Sequence, residues 1–160
     1  MANMRFILRW HGDKSPSNAI TFCYGSFGSA AGNDMPAMIR EFGKDKIPFV
    51  HFRNIRLDED GSFYESGHIT SEGSNNMADI MQALSDIDFD GYLRPDHGRR
   101  IWDEAWSTKK IVQPDGSVVE EHRPDGFNGT KPIPGYGLFD RALGIMYARG
   151  LWEGIRLKIH

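Results

Sequence analysis

The sequence predicts an α/β fold made of parallel β/α units. Three short β-prone runs alternate with stretches whose apolar residues recur at helical spacing, and each run gives way to small or polar residues. The chain is 160 residues long, enough to bury a core of its own, so residues 1–160 are read as one domain.

The elements follow in order. Residues 1–10 mix Arg5 and Arg9 with apolar side chains, and no element is assigned to them. The first run, AITFCY at 19–24, opens into the small-residue stretch 25–32, read as a loop. Asn33 or Asp34 can accept from the free amides of a helix start, and Pro36 suits the first turn. Met38, Ile39 and Phe42 supply the apolar spacing before Gly43 stops the helix.

The second run, 47–52, ends in HFRN. A polar, glycine-containing connection leads to a helix over about 77–87, capped by Asn75 or Asn76, with Met77, Ile80, Met81 and Leu84 on one face. The third run, 91–94, breaks at Pro95 and passes into Asp96, His97 and Gly98. Over 138–155, Leu138, Ala142, Ile145, Met146, Trp152 and Ile155 come close to helical periodicity, while Gly144, Gly150 and Gly154 weaken continuity, so the expectation is a long helix, broken or whole. Between these, 104–134 reads as an insertion. Its centre, KKIVQPDGSVVEEH, predicts a hairpin turning at Pro114, Asp115 and Gly116, with loop on either side and a solvated surface as the ordinary role.

Composition narrows the function. With 39% hydrophobic and 26% charged residues the balance is that of a globular protein, and a formal net charge of -3 with interspersed signs offers no basic face to nucleic acid. No apolar run is long enough to span a bilayer, and the expected location is cytoplasmic with no membrane partner. Cys23 is the sole cysteine, so its thiol is buried, reactive or metal-bound rather than in an intramolecular disulfide.

Cys23, His51 and Asp96 each fall at or near the C-terminal end of one predicted strand, where parallel β/α barrels gather their functional groups. A thiolate, an imidazole and a carboxylate meeting there can hold a divalent metal. Each also has an ordinary structural use: a small core residue, a satisfied interior histidine, a turn aspartate. His97, beside Asp96, is an imidazole, a group type able to exchange protons at physiological pH, and Tyr136 in GYGL is a phenol between glycines; both suit acid/base work, or else are a surface histidine and a packed aromatic. Arg53 and Arg99 flank these positions and can grip a carboxylate through paired hydrogen bonds, although structural or solvated pairing is the commoner use of arginine.

The segments SPSNAITFCYGSFG, HFRNI, FYESGH, GYLRPDHGR and GYGLFDRALGIMYARGLWEGI, in this order, resemble the C-terminal part of mannonate dehydratases. The likeness runs from about Met4 to Ile155 with an interruption after Glu104, and PDHGR followed by GYGLFDRALG is its most specific pair. The resemblance implies a partial TIM-type (β/α) barrel related to the xylose-isomerase type, and a lyase of hexuronate catabolism that dehydrates D-mannonate to 2-keto-3-deoxy-D-gluconate. It assigns Cys23, His51 and Asp96 to a divalent metal, usually manganese, and His97 and Tyr136 to acid/base chemistry. Arg53, Arg99 and His68 are the expected substrate-binding residues. A thiolate is a soft ligand that alone would favour zinc or iron, so manganese rests on the resemblance.

The chain also departs from that family. A closed barrel needs at least about 200 residues, and only three strands are convincing here. Family members carry about as much chain again upstream, including a further histidine ligand, and His11 in RWHGDKSPSN is not assigned that role. The tyrosine segment normally follows PDHGR more closely. Three readings therefore stand: a dehydratase fragment, a short protein completed by a second copy or by a complementing N-terminal half, or an inactive metal-binding remnant. A sugar isomerase of the same barrel class is a further alternative.

Overall fold

The computed structural model describes residues 2–12, 15, 17–97, 106–124 and 138–157. Three of its strands, β1 (Thr21–Cys23), β2 (Phe49–Phe52) and β5 (Tyr92–Pro95), form one parallel sheet in the order β1-β2-β5. The α/β arrangement and the parallel sheet are those predicted, with each strand shorter than its β-prone run.

Alternation decides the two faces of this sheet. Phe22, Val50 and Phe52 are fully buried and meet the apolar sides of α3 (Met35–Phe42) and α4 (Met77–Asp86), chiefly Met38, Ile39, Ile80, Met81 and Leu84. Complete burial of such side chains stabilises by roughly 1.5–3 kcal/mol each. The opposite face carries Thr21, Phe49 and Tyr92 in one row and Cys23, His51 and Arg94 in the next. Tyr92 there is 81% exposed.

Both predicted caps form. Asp34 accepts from the Ala37 amide at 2.9 Å with Pro36 in the first turn, and Asn76 accepts from the amides of Ala78 and Asp79 at 3.2 and 3.3 Å. Arg40 on α3 reaches Asp86 at the end of α4, joining the two helices at their outer surface.

Four features differ from expectation. Residues 2–12, for which the sequence suggests no element, form α1 (Ala2–Gly12): Met4 and Leu8, one turn apart, pack on the core, Arg5 pairs with Glu41 of α3, and the Asn18 side-chain Nδ2 donates to the carbonyls of Ile7 and Leu8 at 3.1 and 3.2 Å. Tyr24, expected to end a strand, begins the short helix α2 (Tyr24–Gly28) where a loop was read; its side chain is fully buried, and packing overrides local preference. The polar connection after β2 contains an antiparallel pair, β3 (Ile55–Leu57) and β4 (Phe63–Glu65).

The fourth difference lies in part of the last helix. α5 (Leu138–Leu157) is continuous, and Trp152 and Ile155 pack on the core as their spacing suggests, but Leu138 and Met146 are exposed, and Asp140, Gly144 and Ala148 form the buried line. Small residues let the helix approach closely, and Tyr147 ties it down by a 2.9 Å bond between its hydroxyl and that of Thr70. The predicted hairpin forms from β6 (Trp106–Val112) and β7 (Val118–Pro124), with the Gln113 amide donating to the Ser117 carbonyl at 2.8 Å across the turn. Val112, Val118 and Val119 are exposed. Among the described residues no helix is long and apolar enough to cross a membrane.

Candidate metal centre and its surroundings

The parallel register sets Cys23 level with His51, and His51 level with Arg94. Asp96 lies two residues beyond Arg94, so alternation returns it to the same face. Its amide donates to the Phe52 carbonyl at 3.1 Å, extending the sheet and fixing where its carboxylate stands. The Cys23 sulfur, a ring nitrogen of His51 and a carboxylate oxygen of Asp96 consequently lie within 4.8 Å of one another. The three predicted ligands are brought together at the C-terminal ends of three neighbouring strands.

The donor set fits a divalent cation. Cys23 and Asp96 are buried, and His51 is half-buried, its ring edge-on to Phe49 with centroids 4.9 Å apart. Burial is the largest influence on the His51 imidazole and lowers its pKa; Arg94, His97 and Arg53 push the same way, and together they outweigh the opposing Asp96 carboxylate. The shift favours the neutral ring, the form that binds metal. Asp96 has its charge compensated by Arg94, whose Nη2 donates to Oδ1 at 3.0 Å, while Oδ2 stands 3.6 Å from His51 Nδ1.

His97 sits beside this group. Its Nε2 is 3.7 Å from Asp96 Oδ2, and its Nδ1 is 3.2 Å from Glu65 Oε2. Glu65, at the end of β4, also receives Arg53: Nε donates to Oε2 at 2.9 Å and Nη2 donates to Oε1. Arg53, expected at a substrate carboxylate, thus has a carboxylate of its own chain as partner, with Nη1 3.9 Å from the Cys23 sulfur. Gly25 makes room for it, since a Cβ there would lie 2.7 Å from Arg53 Nε. Burial works against the Arg53 charge, but Glu65 and Cys23 outweigh it and raise the pKa.

His68, expected at the substrate, is only 4% exposed and stacks parallel to Phe52. Its Nδ1 is 3.6 Å from Asp140 Oδ2, a buried pair joining the loop after β4 to the start of α5. Burial pushes the His68 pKa down more than the Asp96 backbone and the nearby carboxylates raise it. Arg99 and Tyr136 lie outside the described residues. Sequence reasoning missed Glu65, Arg94 and Asp140. Glu65 stood inside the FYESGH segment, yet nothing in its local pattern marked it as facing two strand ends.

The family model for D-mannonate dehydratase (UxuA) matches residues 2–123. The mannonate dehydratase of Enterococcus faecalis is 44% identical over 144 residues, which is 90% of this chain and 33% of that protein. That of Thermotoga petrophila is 44% identical over 142 residues, 88% of this chain and 32% of its own length. The crystal structure of mannonate dehydratase from Streptococcus suis serotype 2 superposes with a TM-score of 0.72 at 32% identity, covering 98% of this chain and 38% of that one. The chain spans about one third of the length of the curated relatives it matches. With most of its length matched by the family model, the chain belongs to the D-mannonate dehydratase family.

Proposed function

We propose that this chain is the C-terminal partial-barrel portion of a hydro-lyase that dehydrates D-mannonate, or a related sugar acid, to 2-keto-3-deoxy-D-gluconate. The observation that carries the reading is the meeting of Cys23, His51 and Asp96 within 4.8 Å, with His97 Nε2 3.7 Å from Asp96. Residues 1–160 are read as one unit, with 104–134 as an insertion, and the enzyme as cytoplasmic.

Cys23, His51 and Asp96 would hold a divalent ion, manganese by the family resemblance. When bound, that ion supplies positive charge against the negative charge that builds on the substrate carboxylate as the proton beside it departs. His97 and Tyr136 form the acid/base pair: one takes the C2 proton, and the other protonates the departing C3 hydroxyl. Arg94 holds Asp96 in place and balances its charge. Arg99 is assigned to the substrate carboxylate.

The sheet has three strands among the described residues, and Thr21 and Tyr92, on the face that carries the site, are exposed, so the reading includes a completing body, either preceding β/α units or a second copy. The test is product formation from D-mannonate with added manganese, for the chain alone and for the chain joined to the upstream two thirds of a relative. The expected result is weak or absent turnover alone and turnover on the order of 1 per second when completed. A completed, metal-loaded protein that leaves D-mannonate untouched would overturn the assignment.

A further inference from the structure

Glu65 stands between two groups of the site and belongs to neither. It comes from β4, a strand outside the parallel sheet, yet its carboxylate faces the ends of β2 and β5. The position is held by Asn54, a fully buried side chain at the exit of β2. Its Oδ1 accepts from the amides of Ile55 and Asn75 at 2.9 and 3.1 Å, and its Nδ2 donates to the Ile69 carbonyl at 3.1 Å. Those bonds tie the start of β3 to Ile69 and Asn75 in the segment that follows β4, which sets how the β3–β4 pair leaves and returns to the end of β2.

A carboxylate only accepts hydrogen bonds, so an imidazole nitrogen 3.2 Å away must carry a proton to bond with it. Nδ1 is therefore the nitrogen that carries a proton toward Glu65, which leaves Nε2 as the nitrogen on the Asp96 side, 3.7 Å from Oδ2. Burial alone would raise the Glu65 pKa, but bonds from His97 and Arg53 outweigh it and hold the carboxyl below its usual range. The same oxygen that faces His97 also accepts from Arg53 Nε at 2.9 Å, and Arg53 in turn lies against the Cys23 sulfur.

We infer that Glu65 is a positioning residue: it fixes the tautomer and direction of His97 and holds the Arg53 guanidinium beside Cys23, so that one carboxylate orders both the proton-transfer side and the Cys23 side of the site. The inference rests on the roles given above to His97 and Cys23. An ion pair that merely fastened the hairpin would leave the tautomer of His97 unaffected.

The test is the nitrogen–proton correlation spectrum of the histidine rings in the 15N-labelled full chain at about pH 8, above the ordinary histidine pKa of ~6.5. His97 is assigned from His97→Asn, and the fold is checked from amide dispersion. The parent should show His97 protonated on Nδ1. Glu65→Gln keeps an acceptor oxygen and should retain that tautomer with shifted ring resonances, whereas Glu65→Ala should move the proton to Nε2. Protonation on Nε2 in the parent overturns the inference, as does an unchanged tautomer in a folded Glu65→Ala. Should the alanine variant not fold, ring shifts in Glu65→Gln identical to the parent's overturn it. Calorimetric titration of the parent with manganese separates this from the metal assignment, because absent ion binding would leave the tautomer result standing. In the completed enzyme Glu65→Ala should lower kcat roughly 10–100-fold with little change in KM.

Discussion

The imidazole of His68 lies flat against the ring of Phe52, with centroids 6.0 Å apart and planes 1° from parallel. Gly144 of α5 closes the other boundary, since a Cβ there would lie 2.9 Å from His68 Cγ and Cδ2. Gly144→Ala should therefore destabilise the fold: overpacking costs about 1–3 kcal/mol, while alanine's better helix propensity offsets about 1. Gly150, on the same helix, has nothing within 4 Å of such a Cβ, so Gly150→Ala should stabilise. Urea unfolding of both variants checks the contrast, and equal stabilisation would remove His68 from contact with the helix.

Metal binding should survive in this chain even where turnover does not. Calorimetry should show weak binding of a divalent ion, falling by roughly tenfold or more in Cys23→Ser, which replaces a thiolate ligand by a poor one of similar volume. His97→Asn should leave the affinity nearly intact, because His97 is assigned to proton transfer. Equal affinity in the parent and Cys23→Ser would take Cys23 out of the site, and loss of binding in a folded His97→Asn would make His97 a ligand.

A pH effect is expected at the outer junction of α3 and α4. Asp86 accepts from Gln82 at 2.8 Å and from Arg40 at 2.9 Å, and these bonds hold its carboxyl below the usual range. A lowered folded-state pKa contributes stability that is present above the unfolded value, ~3.9, and lost as pH falls through the folded one. The pair is well exposed, so solvent screening limits Asp86→Asn to a loss below about 1 kcal/mol at neutral pH. Thermal unfolding of parent and variant should converge on acidification, and in high salt; a gap that widened toward low pH would contradict the pairing.

The parallel strands and their helices were legible because burial leaves a period. Met38, Ile39 and Phe42, and Met77, Ile80, Met81 and Leu84, repeat at helical spacing because one side of each helix meets the sheet. The ligand positions were legible for a related reason: Cys23, His51 and Asp96 end β-prone runs, and strand ends in parallel sheets converge. Glu65 was not, because its role depends on how the β3–β4 pair folds back, which Asn54 settles through bonds to Asn75, distant in sequence. The buried line of α5 was legible only in part: Trp152 and Ile155 pack as their spacing suggests, whereas Asp140 and Gly144 carry no apolar signal, and their burial follows from a close approach to His68.

The exposed row of the sheet, Thr21 and Tyr92, should make the isolated chain self-associate. Tyr92 is 81% exposed, beside half-buried Phe49 and in a parallel sheet, a class that ordinarily has both faces covered. Light scattering should find oligomers or aggregates. Tyr92→Lys should shift the population toward monomer, and a monomeric parent at high concentration would count against an unsatisfied face.

Among the described residues β1 and β5 each pair on one side only, with β2, so the sheet presents two seams rather than one. A body that bonds to one seam gains a single edge of backbone hydrogen bonds. A body curved to reach both engages the second without further loss of translational freedom, at an effective concentration on the order of millimolar for a short connection. Complementation should then show avidity: severing either point of attachment would weaken association far more than halving the contact, and a fragment too short to bridge both seams would bind no better than one strand.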